Sequence, residues 1–139
     1  MQPNIVSINS HPQDAYRRQD ILTANSLDLI VMLYDALKKN IVLGRKGITK
    51  QNPESAHRHL VKAQEIVSEL VNCLDMNYQI SEDLLSLYEF VLKNLEIANL
   101  NKDTEPLAAV IEIVDELRSA WSEISISNKG NLYASEGQA

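Results

Sequence analysis

The sequence predicts an all-α fold: an antiparallel, up-down four-helix bundle with a short N-terminal helix or arm. Three observations carry this. Four long segments repeat apolar residues at alternating spacings of three and four. Each segment is separated from the next by a short run of helix-stopping and helix-starting residues. The composition of the 139 residues is poor in the residues that strands and tight turns need, with five Tyr, one Trp, one Phe and four Gly.

The segments follow in order. Residues 1–11 are polar, show no sustained period and read as a flexible N-terminus. A helical bundle domain is expected over 12–124. Pro12 to Leu22 suits a short helix, since proline is tolerated in a first turn. Thr23 to Ser26 is a break, with Asn25 as N-cap and Asp28 reaching back to it. The first long helix is expected from about Ser26 to Lys50. Its seam is Leu29, Leu33, Ala36, Asn40, Leu43 and Gly47, widened by Ile30, Leu37, Ile41 and Ile48. Gly44 and Gly47 either weaken the last turns or permit close helix packing.

Asn52-Pro53-Glu54 restarts the chain with a cap, a proline at the first helical position and an acid near the positive helix end. Ala56, Leu60, Ala63, Val67, Leu70 and Leu74 then form an unbroken heptad seam. Ser81-Glu82-Asp83 is expected to open the third helix, whose seam is Leu84, Tyr88, Val91, Leu95 and Ala98. Thr104-Glu105-Pro106 opens the fourth, with Leu107, Val110, Val114, Leu117, Trp121 and Ile124 in line. Past that point Ser, Asn and Gly accumulate, and 125–139 reads as a flexible C-terminal tail. Heptad spacing with short connections favours antiparallel neighbours at shallow crossing angles.

Composition excludes several function classes. The formal charge is −6, which disfavours binding to phosphate backbones. The basic residues Lys38, Lys39, Arg45, Lys46, Lys50, Arg58 and Lys62 read as a solvated helix back. Cys73 is the single cysteine, so no intramolecular disulfide forms. There is no secretory signal and no membrane-spanning run, and the expected localisation is cytoplasmic. Glu54-x-x-His57 has the spacing of a carboxylate metal site, but it stands alone in a first helical turn, where the helix dipole already explains the acid. His57 and His59 point to different sides of a helix. No Gly-rich phosphate loop and no nucleophile motif is present. The sequence therefore predicts no enzyme, no cofactor and no metal.

What remains is apolar surface outside the seams. On a helical wheel Phe90 and Ile97 lie opposite Tyr88, seven residues apart, with Leu100 beside them. Val31 and Val42 fall on the back of the first helix, with Leu27 and Tyr34 at its edge. Such residues read as ordinary exposed surface, as a stripe covered by Tyr16, Ile21 and Leu22 of the N-terminal segment, or as a groove for a partner's amphipathic helix.

Several short motifs occur in a fixed order: Ala15-Tyr16, Leu22-Thr23-Ala24, Leu33-Tyr34-Asp35, Lys62-Ala63-Gln64-Glu65-Ile66-Val67, Leu87-Tyr88-Glu89-Phe90, Ala98-Asn99-Leu100 and Glu116-Leu117-Arg118-Ser119-Ala120-Trp121. In this order they resemble the flagellin-specific export chaperone family, FliS. Asn40 stands where that family usually has an apolar residue. The resemblance implies a four-helix bundle that binds the disordered C-terminal region of flagellin, prevents premature polymerisation and aids flagellar type III secretion. It implies contact with the export gate as a further possibility, and a monomer or weak homodimer. Ala15, Tyr16, Ile21, Leu22, Leu27, Val31, Tyr34, Val42, Phe90, Ile97 and Leu100 are the expected partner-binding residues. In the family the N-terminal segment can lie over part of the binding surface, and Tyr16 is the residue expected to do so here. Arg118 is expected to form a salt bridge or hydrogen bond within the bundle. The competing reading is a helical-bundle adaptor or self-associating regulator with another partner.

Overall fold

A computed structural model describes the chain from Ala24 to Gln138. The expected helix over residues 12–22, with Ala15, Tyr16, Ile21 and Leu22, lies outside the described residues. Four helices and no strand occur among the described residues: α1 (Ala24–Thr49), α2 (Pro53–Asn72), α3 (Gln79–Asn101) and α4 (Leu107–Gln138). This is the all-α helical bundle that the periodicity predicts.

The connections show why the helices stop where they do. At the end of α1, Asn52 N–H donates to Gly47 O at 2.8 Å and Gln51 N–H to Ile48 O at 3.0 Å, with Gln51 in the left-handed region at φ 57. This pattern closes the last carbonyls of a helix. Asn52 then caps α2, its side chain accepting from Ser55 N–H at 3.2 Å, and Pro53 follows as the first helical residue. Lys102, at φ 52, ends α3 in the same left-handed way, and Asp103 N–H donates to Ala98 O at 3.0 Å.

Three boundaries differ from expectation. The chain is already helical at Ala24, so Asn25 and Ser26 lie inside α1. α3 begins at Gln79 because Ser81 does not act as a cap; its hydroxyl donates to Asp75 O at 2.6 Å and is buried. α4 runs on to Gln138, through the stretch whose composition reads as a tail. No proline follows Pro106, so nothing there forces the helix to stop.

The described residues divide into two compact units, Met32–Arg118 and a second of 24–31 with 119–138. Within Met32–Arg118, paired contacts set the topology. Gly44 and Gly47 of α1 lie against Leu60 and Ala56 of α2, so rising numbers in one helix meet falling numbers in the other. His57 of α2 meets Asn99 of α3. Asp35 and Lys38 of α1 meet Arg118 and Asp115 of α4. Neighbouring helices therefore run antiparallel, and α1 lies diagonally across from α3. The core is built from Ala56, Leu60, Ala63, Val67 and Leu70 of α2, and Leu84, Tyr88, Val91, Leu95 and Ala98 of α3. Tyr34, Leu37 and Ile41 of α1 and Leu107, Val110 and Val114 of α4 complete it.

The expected seam of α1 needs correction. Tyr34, Leu37 and Ile41 are fully buried, in line with Gly44, whereas Leu33, Ala36, Asn40 and Leu43 are half-buried and Leu29 is exposed. The glycines decide this. A Cβ at Gly47 would lie 2.7 Å from the backbone nitrogen of Ala56, and one at Gly44 2.6 Å from a methyl of Leu60. The glycine face of α1 must press on α2, which turns the Tyr34 ridge inward. Asn40 sits at the rim, donating to Ala36 O at 2.8 Å and bonding His59 Nδ1 at 3.1 Å, so its polar group is satisfied.

Candidate functional site: an exposed apolar stripe on α3

The inner face of α3 is fixed by its five core residues, and this determines what its other faces must carry. Phe90 is 44% exposed, Ile97 36% and Leu100 84%. Phe90 and Ile97 are two helical turns apart and stand in line. Asn99, which meets His57 at 3.0 Å, marks the flank of α3 that faces α2. Phe90 and Ile97 lie about half a turn from Asn99 around the helix, on the flank away from α2. Half-buried Leu87, three residues before Phe90, continues the strip toward the core. Asn94, between Phe90 and Ile97, donates to Phe90 O at 2.8 Å, which holds its amide against the backbone. Glu89 and Glu96, both exposed, border the stripe on the outer side.

The stripe includes one titratable side chain, exposed Lys93, three residues after Phe90 and four before Ile97. It offers apolar area on a rigid helix, which suits a long apolar partner surface. Met76, Tyr78 and Ile80, in the α2–α3 loop and first turn of α3, are also exposed. The sequence reading missed them because it placed Ile80 in a loop. The seven-residue step from Ile80 to Leu87 becomes visible only once α3 starts at Gln79.

On α1 the expected residues separate. Tyr34 is not on a partner face: it is fully buried, and its hydroxyl is hydrogen-bonded to the hydroxyl of Tyr88 across the core. Val42 is half-buried in a shallow depression lined by Asp35, Lys38, Lys39 and Leu43. Because α1 and α3 are diagonal, the Val42 surface and the Phe90 stripe are two surfaces rather than one groove. Leu27 and Val31 are half-buried in the other unit, where Leu29 and Ile124 are exposed.

Arg118 forms the expected ion pair. Its Nε lies 2.7 Å from Asp35 Oδ1, at a half-exposed seam between α1 and α4. The hydrogen bond to Asp35, with its charge, raises the guanidinium pKa further. Lys38 and Asp115, 2.7 Å apart, form a second rung. Glu54 is exposed and His57 is engaged with Asn99. Among the described residues no group of three or more His, Cys, Asp or Glu is placed to hold a metal ion. Among the same residues no helix is long and apolar enough to cross a membrane.

The model of the family described as flagellar protein FliS matches residues 9–128. A flagellar secretion chaperone FliS of Bacillus subtilis (strain 168) is 32% identical over 129 residues, covering 93% of this chain and 97% of the relative. One from Vibrio cholerae serotype O1 is 32% identical over 128 residues, covering 88% and 93%. One from Salmonella typhimurium is 26% identical over 108 residues, covering 76% and 80%. This chain belongs to the FliS family.

Proposed function

We propose that this chain is a flagellar secretion chaperone whose cargo is flagellin. It binds the disordered C-terminal region of flagellin in the cytoplasm, and that region folds into amphipathic helix as it docks. The bound cargo cannot polymerise before export and is delivered to the export gate. The protein works by binding and catalyses no reaction.

The observation that carries this reading is the Phe90–Ile97–Leu100 stripe, exposed on a helix whose inner face is already committed to the core. A stripe of this kind can offset the ordering of a disordered segment, which costs about 2–5 kcal/mol or more. The family membership supplies the class of cargo.

The test is calorimetric titration with the C-terminal region of flagellin from the same organism. One-to-one binding with a negative heat-capacity change is expected, since apolar area is buried. Phe90→Asp should weaken binding by roughly tenfold or more while circular dichroism and solution mass stay unchanged. A folded bundle that fails to bind would overturn the reading. A Phe90→Asp protein whose mass changes would favour a self-associating adaptor instead.

A further inference from the structure

Charge is unevenly distributed along this acidic chain. From Ala36 to Lys62, seven Lys and Arg stand against one acid, Glu54, whereas from residue 63 to 123 three stand against thirteen acids. The fold gathers the basic stretch onto one face. Gly47 meets Ala56 and Gly44 meets Leu60. This register puts Lys46 of α1 level with Arg58 of α2, and Lys39 within about one turn of Lys62. All four side chains are exposed. Lys38 is taken up by Asp115 and Lys62 touches Glu65 only at 4.0 Å. Lys39, Lys46 and Arg58 have no ion pair among the described residues.

The face also carries apolar floor. One depression, lined by Asp35, Lys38 and Lys39, holds Val42 and Leu43, its Asp35 already paired with Arg118 and its Lys38 with Asp115. A second, lined by Asn40, Arg58, His59, Lys62 and Glu65, holds Val61. We infer that the outer α1–α2 face is a docking surface for an acidic amphipathic helix of a partner protein. Its acids would pair with Lys39, Arg58 and Lys62, and its apolar side would cover Val42, Leu43 and Val61. Charge complementarity selects this occupant. A nucleic acid or an anionic membrane would use the cations but not the apolar floor, and would be repelled by the net charge of −6. A second copy laying its acidic helices here would raise the mass of the free protein in solution, and such a rise would overturn the inference. The face is separate from the α3 stripe, so partner and cargo can be held together.

The test uses the full chain, isotope-labelled, titrated with a synthetic helix bearing leucines on one side and glutamates on the other. Amide shifts should centre on Lys39, Leu43, Arg58 and Lys62, and affinity should fall as salt is raised. A matched peptide with lysine in place of glutamate should leave these amides unmoved. Lys39→Glu with Arg58→Glu and Lys62→Glu should weaken the glutamate peptide by roughly tenfold or more, with the triple alanine variant as a milder check that the bundle stays folded. Flagellin binding by the triple variants should change less than about twofold, and Phe90→Asp should leave the peptide affinity intact. Absence of shifts, shifts centred on α3, or tighter binding of duplex DNA or anionic vesicles would overturn the inference. Loss of flagellin binding in the triple variants would also overturn it, by assigning this face to the cargo.

Discussion

At the scale of single residues, Tyr34 and Tyr88 show how one hydroxyl depends on another. Both side chains are buried, and each hydroxyl bonds the other. Burial raises the Tyr88 pKa above 10.0; the bond to Tyr34 works against this, and the nearby Cys73 side chain adds to it through its charge. Since the folded protein favours the neutral phenol, Tyr88 contributes stability below pH 10.0 that is lost as pH rises beyond it. Tyr34→Phe removes the bond but leaves the Tyr88 hydroxyl buried, at a cost of about 1–3 kcal/mol. Replacing both by Phe removes donor and acceptor together. The double variant should therefore lose less than the two single variants combined, measured by urea unfolding at neutral pH. Strict additivity would mean that the two hydroxyls do not depend on each other. The buried Tyr34 also explains why wheel reasoning went astray there. A tyrosine at the edge of an apolar arc is amphipathic, and sequence alone does not show that a second tyrosine, 54 residues on, waits across the core.

At the scale of elements, α1 and α2 are held close by the absence of side chains. A methyl group at Gly47 would meet the backbone of Ala56 at 2.7 and 2.9 Å, and backbone cannot turn aside. At Gly44 it would meet the end of Leu60, which can. Gly47→Ala gains about 1 kcal/mol of helix propensity but should still be destabilised by roughly 1–3 kcal/mol through overpacking. Gly44→Ala should be milder. Urea midpoints for the two variants check this, and a stabilised Gly47→Ala protein would rule out the close approach. The same glycines mark the limit of what could be read in advance. The α2 seam was legible because it has one apolar line and a plainly polar back, and the α3 seam because its core line is narrow and evenly spaced. α1 has apolar residues around most of its circumference, so periodicity could not choose among lines, and the choice fell to two residues with no side chain. The site followed the same logic. Phe90 and Ile97 stood out because the α3 core line is narrow, whereas Tyr34 did not stand out as core because the α1 line is broad.

At the scale of the whole molecule, the proposal requires that cargo bind the folded bundle, because the Phe90–Ile97–Leu100 stripe exists only when the inner face of α3 is packed. A ligand that binds only the native state stabilises it by RT ln(1 + [L]/Kd), about 2.7 kcal/mol when free ligand is a hundredfold above Kd. For a chain of 139 residues this is a rise in melting temperature on the order of 10 °C. The flagellin C-terminal region should produce that rise, growing with the logarithm of its concentration. Phe90→Asp, with affinity about tenfold weaker, should cut the stabilisation at the same ligand concentration to about 1.4 kcal/mol and so roughly halve the shift, while moving the melting temperature of the free protein little, since a half-exposed surface position contributes within about 0.5 kcal/mol. Binding seen by calorimetry without a rise in melting temperature would mean that the segment engages unfolded chain as readily as folded. The stripe could not then be the site, because an unfolded chain has no stripe.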